Sequence, residues 1–413
     1  MSNKAGGGKA RETGARAKTA LRVSRTATPS SVRDANRSII LNLIRLRQPI
    51  SRAALSEQTG IYRSNVSGIV EDLIARDLVT ERKGKPEGRG RVPIFLSLKA
   101  DGFQVLGINM RPHKTSVALA GLTGEVKAQV EFSTPSQPAA LVTEIAAAAR
   151  QMGQRPELSG GREIQQVAMS MPGLVHTDSG VVRWLPKLPE YSGFDMASAL
   201  QQALGSPAAV DNDCNLGALA ELWLSEAEND HIRDFVFLEI GDVGVGAGIL
   251  LNRELYRGHD GTLAAEFGHM IVDPNGPKCV CGRQGCWELF VCDQAAWNRY
   301  SPDKQFTTAR FERYLDAAAA GDELALAAAL RTARYLSLGI SNIAFALNPA
   351  VIVVAGKISR IWDLVHRTIE EAFASNKIEV HVRPAKLEAD EMFSRGAIHL
   401  ALSQVFARPK LGW

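Results

Sequence analysis

The stretch FGHMIVDPNGPKCVCGRQGCWE, at residues 267–288, contains side chains that bind transition metals. His269 precedes Cys279, Cys281 and Cys286 within it. Three thiolates and one imidazole make a complete tetrahedral ligand set for Zn²⁺, and four protein ligands leave no position open for water or substrate. The Gly, Pro and Asn residues between them favour turns that fold a short chain around one ion. The sequence therefore predicts a structural zinc ion, with buried free cysteines as the alternative interpretation.

Composition limits the class of protein. The chain has 413 residues, 45% hydrophobic and 22% charged, which is typical of globular proteins with two or three domains. It contains no run of about 18 apolar residues, and its first twenty residues contain no apolar core. We therefore expect a cytoplasmic protein without membrane insertion. Clustered cysteines in a reducing compartment favour metal binding over disulfides, and Cys214 and Cys292 are expected to be packed thiols.

Charge is unevenly distributed along the chain. Residues 1–100 contain 20 Lys and Arg against 8 Asp and Glu, although the net charge of the whole chain is only +4. A basic N-terminal part on an acidic remainder indicates that the N-terminal part binds a polyanion. Residues 1–30, rich in Gly, Ala, Ser and Arg, are expected to be a disordered basic tail.

Residues 31–100 have the pattern of a winged helix-turn-helix. Apolar residues recur at helical spacing from Asn36 and this helix ends before Pro49. A short helix capped by Ser51 and stopped by Gly60 follows, then a third helix from Ser64 and two strand-like stretches around a polar loop. We expect the N-terminal end of the third helix to enter the DNA major groove. The alternative is a small helical bundle with a solvated polar face.

Candidate DNA-binding residues lie on the two short helices and on the GRGR loop at 88–91, which serves as linker or wing. Arg can bind guanine, Asn can bind adenine and hydroxyls can bind phosphate, while a Gly/Arg loop fits the narrow minor groove of A·T-rich DNA. A flexible basic linker is the alternative for that loop. The candidates are Arg52, Tyr62, Arg63, Ser64, Asn65, Ser67, Arg89 and Arg91.

Residues 101–413 alternate twice between strand-rich and helical stretches. This pattern predicts two α/β lobes with a cleft between them, where a small ligand commonly binds. Within this part, the segment GTLAAEFGHMIVDPNGPKCVCGRQGCWE at 261–288 resembles the zinc-bearing stretch of the ROK family of repressors, open reading frames and sugar kinases. VDNDCNLGALAE at 210–221, MPGLV at 171–175 and VGVGAGILLNRELYRG at 243–258 also resemble family motifs.

The resemblance covers roughly residues 35–405, and a winged-helix head is the form found in the family's repressors. It implies an α/β, two-lobed, actin-like sugar kinase fold, related to ribonuclease H, over residues 101–413, with the structural zinc loop at 269–286. By position, it also implies a sugar site in which Asn212 and Asp213 bind hydroxyls and His269 serves both the zinc and the sugar. The full set of implied sugar-binding residues is Asn212, Asp213, Glu266, His269, Glu288, Pro172 and Gly173.

Kinase activity is not expected. The family's kinases have a phosphate loop resembling Asp-x-Gly-Gly-Thr, whereas Asn109 stands here at the Asp position and Met, Arg, Pro and His follow it. Pro112 has no N–H to offer a phosphate, and a single glycine, Gly356, follows the last buried strand. The glycines at 244, 246 and 248 are interpreted as a tight strand-turn.

The resulting hypothesis is a sugar-responsive transcriptional regulator, a repressor of carbohydrate uptake or catabolism genes. It would act as a homodimer or homotetramer on an A/T-rich inverted repeat and be released by a sugar or a sugar phosphate. Two alternatives stay open: an active ATP-dependent sugar kinase with a DNA-binding head, and a regulator controlled by a protein partner.

Overall fold

The computed structural model describes residues 29–84, 93–155, 162–227, 232–262, 264–377 and 379–406. The first part, called the head, comprises residues 29–98. Its elements are α1 (Pro29–Arg47), β1 (Ile50–Ser51), α2 (Arg52–Thr59), α3 (Arg63–Ala75), β2 (Val79–Lys83) and β3 (Ile94–Leu98). The three strands form an antiparallel sheet in the order β1-β3-β2.

The local sequence explains how the head helices begin and end. The Ser51 hydroxyl accepts a hydrogen bond from the Ala54 amide at the start of α2, and Gly60 ends that helix in the left-handed conformation with φ of 71°. One difference from expectation concerns α1, which begins at Pro29 rather than near Asn36. Pro29 and Ser30, the last residues of the predicted disordered tail, are thus helical; residues 1–28 of that tail lie outside the described residues.

The first lobe, residues 104–212, contains a five-stranded sheet in the order β10-β7-β4-β5-β6. Strands β4, β5 and β6 are antiparallel neighbours, whereas β7 is parallel to both β4 and β10. The elements of this lobe are β4 (Gln104–Met110), β5 (Thr115–Gly121), β6 (Val126–Phe132), α4 (Pro138–Gly153), β7 (Gln166–Met171), β8 (Leu174–His176), β9 (Val181–Trp184), α5 (Met196–Leu204) and β10 (Ala208–Asn212).

The second lobe, residues 235–384, repeats this plan with a sheet in the order β13-β12-β11-β14-β15. Strands β11 and β12 are antiparallel, and β14 is parallel to both β11 and β15. Its elements are β11 (Phe235–Ile240), β12 (Val245–Leu251), β13 (Glu254–Leu255), α7 (Glu288–Val291), α8 (Asp293–Tyr300), α9 (Thr308–Ala319), α10 (Glu323–Leu347), β14 (Val351–Ala355), α11 (Trp362–Asn376) and β15 (His381–Pro384).

Two helices lie between the lobes. Helix α6 (Asp213–Ala227) packs on β11 and β12 of the second lobe, and α12 (Ala389–Phe406) packs on β4 and β7 of the first. The two helices also pack against each other. The predicted pair of α/β lobes is therefore confirmed, and α6 begins directly at the inner edge of the first sheet, where β10 ends.

The head and the rest of the chain share one hydrophobic core. Ile40 and Ile44 of α1 belong to the same buried cluster as Leu402 and Phe406 of α12. The carbonyl of Phe406 accepts a hydrogen bond of 2.8 Å from the Asn42 side chain of α1. Because the last turn of α12 is embedded in the head, the two parts are mechanically connected. No helix in the described part of the chain is long and apolar enough to cross a membrane.

Candidate metal cluster and ligand cleft

The predicted metal-binding residues form one cluster. The ligand atoms of His269, Cys279, Cys281 and Cys286 all lie within 4.8 Å of one another. His269 and Cys286, which are 17 positions apart in the chain, are brought together because the loop folds into a small hairpin, in which Lys278 pairs with Gln284. The cluster could thus hold a metal ion with three sulfur ligands and one nitrogen ligand.

The spacing within the cluster fits a tetrahedral zinc ion. The sulfurs of Cys281 and Cys286 are 3.6 Å apart, and the Cys279 sulfur is 3.6 Å from His269 Nδ1. Ligands at about 2.3 Å for Zn–S and about 2.0 Å for Zn–N, placed at tetrahedral angles, lie about 3.8 and about 3.6 Å apart. These two distances are therefore close to those of a tetrahedral zinc site, and three sulfurs with one imidazole nitrogen are ligands that zinc prefers.

Glycine makes the loop geometry possible. Gly285, next to Cys286, has φ of 75°, and a Cβ there would lie only 1.6 Å from the carbonyl oxygen of Asp273. Gly282 also has a positive φ, 88°, and its amide donates to the Cys279 carbonyl. A residue with a side chain at position 285 would push the loop apart and separate the cluster ligands.

His269 joins the cluster to its surroundings through both ring nitrogens. Nδ1 faces Cys279, whereas Nε2 lies 3.8 Å from the Glu266 carboxylate. The Glu288 carboxylate lies 3.4 Å from Nδ1 and accepts a hydrogen bond of 3.0 Å from the Cys279 thiol. One imidazole edge therefore points to the cluster and the other to Glu266, while Glu288 lies against the cluster.

A narrow cleft lies beside this cluster. It is lined by Gly173, Val175, Asn212, Asn215, Gly246, Ala247, Arg257, Gly261, Thr262, Ala264 and Glu266. Three of the predicted sugar-binding residues are in this lining: Gly173, Asn212 and Glu266. The other predicted residues are outside it: Pro172, Asp213, His269 and Glu288. The free volume is only about 30 Å³, so the cleft must widen before a sugar can enter.

Glu266, which lines the cleft, interacts electrostatically with three predicted residues that do not line it. Burial raises the pKa of Glu266 above its ordinary value. His269 opposes this shift, and the charges of Glu288 and Asp213 add to it. The four predicted residues therefore share one electrostatic environment, although they do not all line one cleft.

Asn212 connects the two walls of the cleft. Its Oδ1 accepts hydrogen bonds from the amides of Cys214, at 2.9 Å, and Asn215, at 3.3 Å, in the first turn of α6. Its Nδ2 donates to the carbonyl of Gly173, at 3.0 Å. Gly173 has φ of 86°, and a Cβ there would lie 2.4 Å from the Trp184 carbonyl oxygen. The amide of Asn212 therefore has one more N–H that can bind a ligand.

Arg257 is a cleft residue that the sequence interpretation missed. Its Nε and Nη2 donate to Asp211 Oδ2 at 3.1 and 2.6 Å, and Asp211 is only 1% exposed. Asn215 donates to the other Asp211 oxygen at 2.9 Å. Arg257 and Asp211 lie within the quoted family-like segments, but only the fold shows that the two are paired.

Arg111 occupies the junction of the lobes. From the turn between β4 and β5, its guanidinium reaches Asp213 at 2.6 Å, Glu239 at 3.4 Å and Asp390 at 3.5 Å. These carboxylates belong to α6, β11 and α12 respectively. Its central carbon also lies 5.0 Å from the ring centroid of Phe393. One cation thus holds together elements of both lobes.

The pKa values follow from this arrangement. Burial alone would lower the pKa of Arg111, but Glu239, Asp213 and Asp390 together raise it above its ordinary value. Burial raises the pKa of Glu239 to about 7, an effect that Arg111 opposes and the nearby carboxylates reinforce. Arg111 therefore stays charged, and Glu239 titrates near neutral pH.

The glycines of β12 allow α6 to approach closely. A Cβ at Gly246 would lie 2.3 Å from the Cys214 sulfur, and one at Gly248 would lie 2.4 Å from the Cys214 carbonyl oxygen. The Gly241 amide donates to the Gly244 carbonyl in the turn before β12. These contacts support the interpretation of the glycine run as a strand-turn. Cys214 and Cys292 are both buried, as expected for packed thiols.

The head presents its predicted DNA-binding residues on one end of α3. Tyr62 is 81% exposed, Arg63, Ser64 and Asn65 are exposed, and Ser67 is half-buried. Arg52, at the start of α2, donates to Glu81 of β2 at 2.8 and 3.0 Å. Arg89 and Arg91 lie outside the described residues.

Comparison with known proteins gives the family. Residues 105–404 match the model of the ROK family, which is well over half of the chain. This chain belongs to the ROK family. Among curated ROK-like relatives, the chain is 29% identical over 354 residues to the xylose repressor of Bacillus spizizenii, covering 84% of this chain and 89% of that protein.

Solved structures agree on the fold. A ROK family transcriptional regulator, described as a homologue of the E. coli MLC protein, matches with a TM-score of 0.75 at 22% identity, over 91% of this chain and 100% of that chain. A ROK family glucokinase from Streptomyces griseus, in complex with glucose and AMPPNP, matches with a TM-score of 0.60 at 25% identity, over 72% of this chain and 99% of that chain. The two-lobed, actin-like fold is therefore confirmed.

Proposed function

We propose that this ROK protein is a transcriptional repressor of carbohydrate genes that responds to a sugar or a sugar phosphate. The observation that carries the proposal is the extent of the similarity. The named xylose repressor is matched over 84% of this chain, whereas the glucokinase is matched over only 72%. The family range itself begins at residue 105, so the head is the part that the kinase-like region does not include.

In this proposal, residues 31–100 bind DNA and residues 101–413 bind the effector. The exposed N-terminal end of α3 enters the major groove, where Arg63 and Asn65 contact base edges and Ser64, Ser67 and Tyr62 contact the backbone. Arg52 fixes the angle between α2 and the β2 strand through Glu81. Arg89 and Arg91, which follow β2 in the sequence, would enter the minor groove of an A/T-rich site.

The effector would bind in the cleft beside the cluster. Asn212 offers an amide N–H, Glu266 a carboxylate and Arg257 a guanidinium, a combination suited to hydroxyls or to a phosphate. Asp213, His269, Glu288, Pro172 and Gly173 complete or shape the site after the cleft widens. The widening needed for entry is what would alter the relative position of the lobes and, through α12, of the head.

The cluster would hold a structural zinc ion. His269, Cys279, Cys281 and Cys286 would supply all four ligands, so the metal would brace the loop rather than take part in chemistry. His269 would remain oriented towards Glu266 because its other nitrogen is held by the metal. Loss of zinc would therefore impair effector binding before DNA binding.

Catalysis is not part of the proposal. A sugar kinase of this family would use Asp213 as its base, but one oxygen of Asp213 lies 2.6 Å from Arg111. Asn109, at the position of the kinase aspartate, donates to the backbone carbonyl of Asp390 and is 4% exposed. Both side chains are thus occupied by contacts within the protein instead of being free for ATP and Mg²⁺.

The experiment that tests the function has two parts. A duplex is first selected by the full-length protein from random DNA, and its binding is measured by fluorescence anisotropy with a panel of sugars and sugar phosphates. We expect one effector class to weaken binding, and Asn65→Ala to cost about 1–3 kcal/mol on the selected duplex but little on a scrambled one. Arg76→Ala, at the other end of α3, is the control, since Arg76 pairs with Asp72.

The second part separates the repressor from the kinase. The protein is incubated with ATP, Mg²⁺ and the same sugars, and ADP is measured. Absence of ADP together with a selected operator supports the proposal. ADP formation at ordinary enzymatic rates, or failure to select any sequence, would overturn it. Selective DNA binding that no sugar alters would instead favour control by a protein partner. A cytoplasmic dimer or tetramer on an inverted repeat is expected.

A further inference from the structure

A second cavity lies on the far side of the cluster loop, in the second lobe. It has a volume of about 430 Å³, against about 30 Å³ for the cleft described above, and it is bounded by α7, α8 and α10. Pro277 of the cluster loop and Val243 of the β11–β12 turn lie at its edge. A cavity of this size is within the range that holds small organic ligands.

Two arginines line this cavity. Arg299 comes from α8 and Arg331 from α10. In the described parts of the chain, no carboxylate lies within ion-pair distance of either guanidinium. Arg299 instead donates to the Thr332 hydroxyl at 2.8 Å and to the Phe290 carbonyl, which fixes its direction. The cavity is therefore positively charged, and no carboxylate among the described residues pairs with its arginines.

The pKa of Arg299 is consistent with a positively charged cavity. Burial lowers the pKa of Arg299, and the positive charge of Arg331 lowers it further. Two cations close enough to repel each other, one of them partly buried, are stabilised by an anion placed between them. Elsewhere in the described chain, the half-buried cations Arg111 and Lys357 are paired with carboxylates, so the two arginines of this cavity differ from them.

The remaining wall of the cavity is apolar and aromatic. The rings of Phe290 and Tyr335 stack at 4.6 Å between centroids, and Leu289 lies beside them. The Arg299 guanidinium lies 5.5 Å from the Tyr335 ring. A ligand with a flat or apolar body would cover these surfaces while its anionic group meets the arginines.

We propose that this cavity, bounded by Arg299, Arg331, Phe290 and Tyr335, is a second ligand site, which binds a small organic anion with a carboxylate or phosphate group on an apolar body. The site is separate from the sugar cleft. It is adjacent to the cluster, because Glu288, which faces His269, is followed directly by Leu289 and Phe290 in α7. A ligand in this cavity therefore contacts the short helix that begins with Glu288.

Calorimetry on the full-length protein tests the site with three probes that share one ring system. 1-Naphthyl phosphate and 1-naphthoate carry the two anionic groups, and 1-naphthol carries none. We expect saturable binding of at least one anion, with one site per chain, and at least about tenfold weaker binding of 1-naphthol. The stronger of the two anions identifies the group that the arginines prefer.

Two variants locate the site. Arg331→Gln is expected to weaken binding of the anion by about tenfold or more, since a charged hydrogen bond is lost. Arg334→Gln is the matched control, because it removes the same charge from the exposed face of the same helix outside the cavity lining. Ala295→Phe, which fills the cavity without removing a charge, should also weaken binding while thermal unfolding stays cooperative.

Three results would overturn the proposal. They are no saturable binding of either anion to the wild-type protein, equal binding of 1-naphthol, and wild-type affinity in both Arg331→Gln and Ala295→Phe. None of these depends on sugar or DNA binding. The site can therefore fail while the proposed repressor function stands, and the reverse also holds.

Discussion

The guanidinium of Arg111 lies where carboxylates from three different elements converge, and its charge decides what that junction can do. The Arg111 guanidinium forms an ion pair of 2.6 Å with Asp213. Asp213 is the carboxylate that would act as the general base in a kinase of this family. Glu239 and Asp390 then find their counter-charge in the protein rather than in a metal-bound nucleotide. At the scale of single residues, one side chain of the first lobe therefore pairs with acids from three other elements.

Removing that cation should destabilise the protein in a pH-dependent way. Arg111→Leu leaves buried carboxylates without a partner, which costs about 2–4 kcal/mol of unfolding free energy. The cost should be larger at pH 8 than at pH 5. The folded-state pKa of Glu239, about 7, lies above its unfolded value, so burial of this group is tolerated at low pH and becomes unfavourable as pH rises through about 7. Without Arg111, ionisation of Glu239 is disfavoured further.

Urea unfolding at the two pH values measures this effect. Lys114→Leu, in the same turn, is the control, because Lys114 pairs with Glu131 on the surface, where both side chains are nearly half exposed. Its cost should be below about 1 kcal/mol. Equal stability of Arg111→Leu and the wild-type protein at pH 8 would show that the junction does not depend on this cation.

Cysteine substitutions test the metal cluster. Cys281→Ser should lower zinc affinity by at least about tenfold, because loss of a residue that merely orients a metal ligand already has an effect of that size. The variant should also reduce both stability and sugar response. Metal content after dialysis, thermal unfolding and the sugar-dependent change in DNA binding are the measurements. Cys292→Ser, which changes a buried thiol outside the cluster, should keep its zinc. Full zinc content and full sugar response in Cys281→Ser would contradict the structural role.

At the scale of elements, helix α1 connects the head to the body. Arg45 near its end forms a 2.6 Å ion pair with Glu226 of α6, and both side chains are 13% exposed. The same guanidinium lies 4.1 Å from the ring of Trp223, also on α6. Helix α6 begins at Asp213, directly after the cleft residue Asn212, and its last turns carry this contact. We therefore expect a movement at the cleft to be transmitted to the head along this helix.

This contact should carry the sugar response. Arg45→Ala is expected to reduce the effect of the sugar on DNA affinity, because it breaks the contact between α1 and α6, while sugar binding itself is retained. Anisotropy with the selected duplex measures the former, and thermal shift with the sugar measures the latter. Arg33→Ala is the control, since it removes the same charge from an exposed part of α1. If the sugar still changed DNA affinity to the same extent in Arg45→Ala, the contact between α1 and α6 would not transmit the sugar response.

At the scale of the whole molecule, α6 and α12 share an aromatic group, and Arg45 of the head lies over two of its rings, Trp223 and Phe406. His399 of α12 stacks on Trp223 of α6 with centroids 4.0 Å apart, and Phe406 completes the group. Burial, together with the charges of Arg45 and Arg395, lowers the pKa of His399 to about 3. The imidazole is therefore neutral in the folded protein and becomes protonated in the unfolded chain below pH about 6.5.

The sign of the pH effect follows from that difference. Since the folded-state pKa is depressed, the neutral histidine carries no cost above about pH 6.5, and stability is lost as pH falls below this value. His399→Gln should lose stability less steeply between pH 7 and pH 5 than the wild-type protein, by up to about 1.4 kcal/mol per pH unit. Chemical unfolding across this range is the measurement. Parallel pH profiles would show that His399 does not contribute.

Much of the fold could be predicted from local patterns. The spacing of Ile39, Ile40, Leu43 and Ile44 predicts a helix, and Ser51 and Gly60 predict the ends of the next one, because these signals depend on neighbouring residues alone. The start of α1 at Pro29 was missed, since the residues from 29 to 35 include only one large apolar side chain, Val32. Their helical state depends on the helix that follows.

Of the two candidate sites, the metal cluster could be predicted from local sequence, whereas the cleft could not. The four candidate metal ligands lie within 18 residues of sequence, so their types and spacing predicted a cluster, and the structure brings them together. The cleft depends on residues from distant parts of the chain. Only the folded chain could place Arg257 on Asp211 and Arg111 on Asp213, pairs that are 46 and 102 positions apart, because such contacts arise from packing between elements.

The sequence by itself therefore determined the local units: the head helices, the metal loop and the strands of two lobes. Tertiary structure alone decided how they act together. It showed that Arg111 occupies the acid at the lobe junction, that α6 runs from the cleft to the head, and that Arg299 and Arg331 face one cavity. The physical reason is that turns, caps and metal loops are encoded by neighbouring residues, whereas the pairing of charges in a core depends on which surfaces meet.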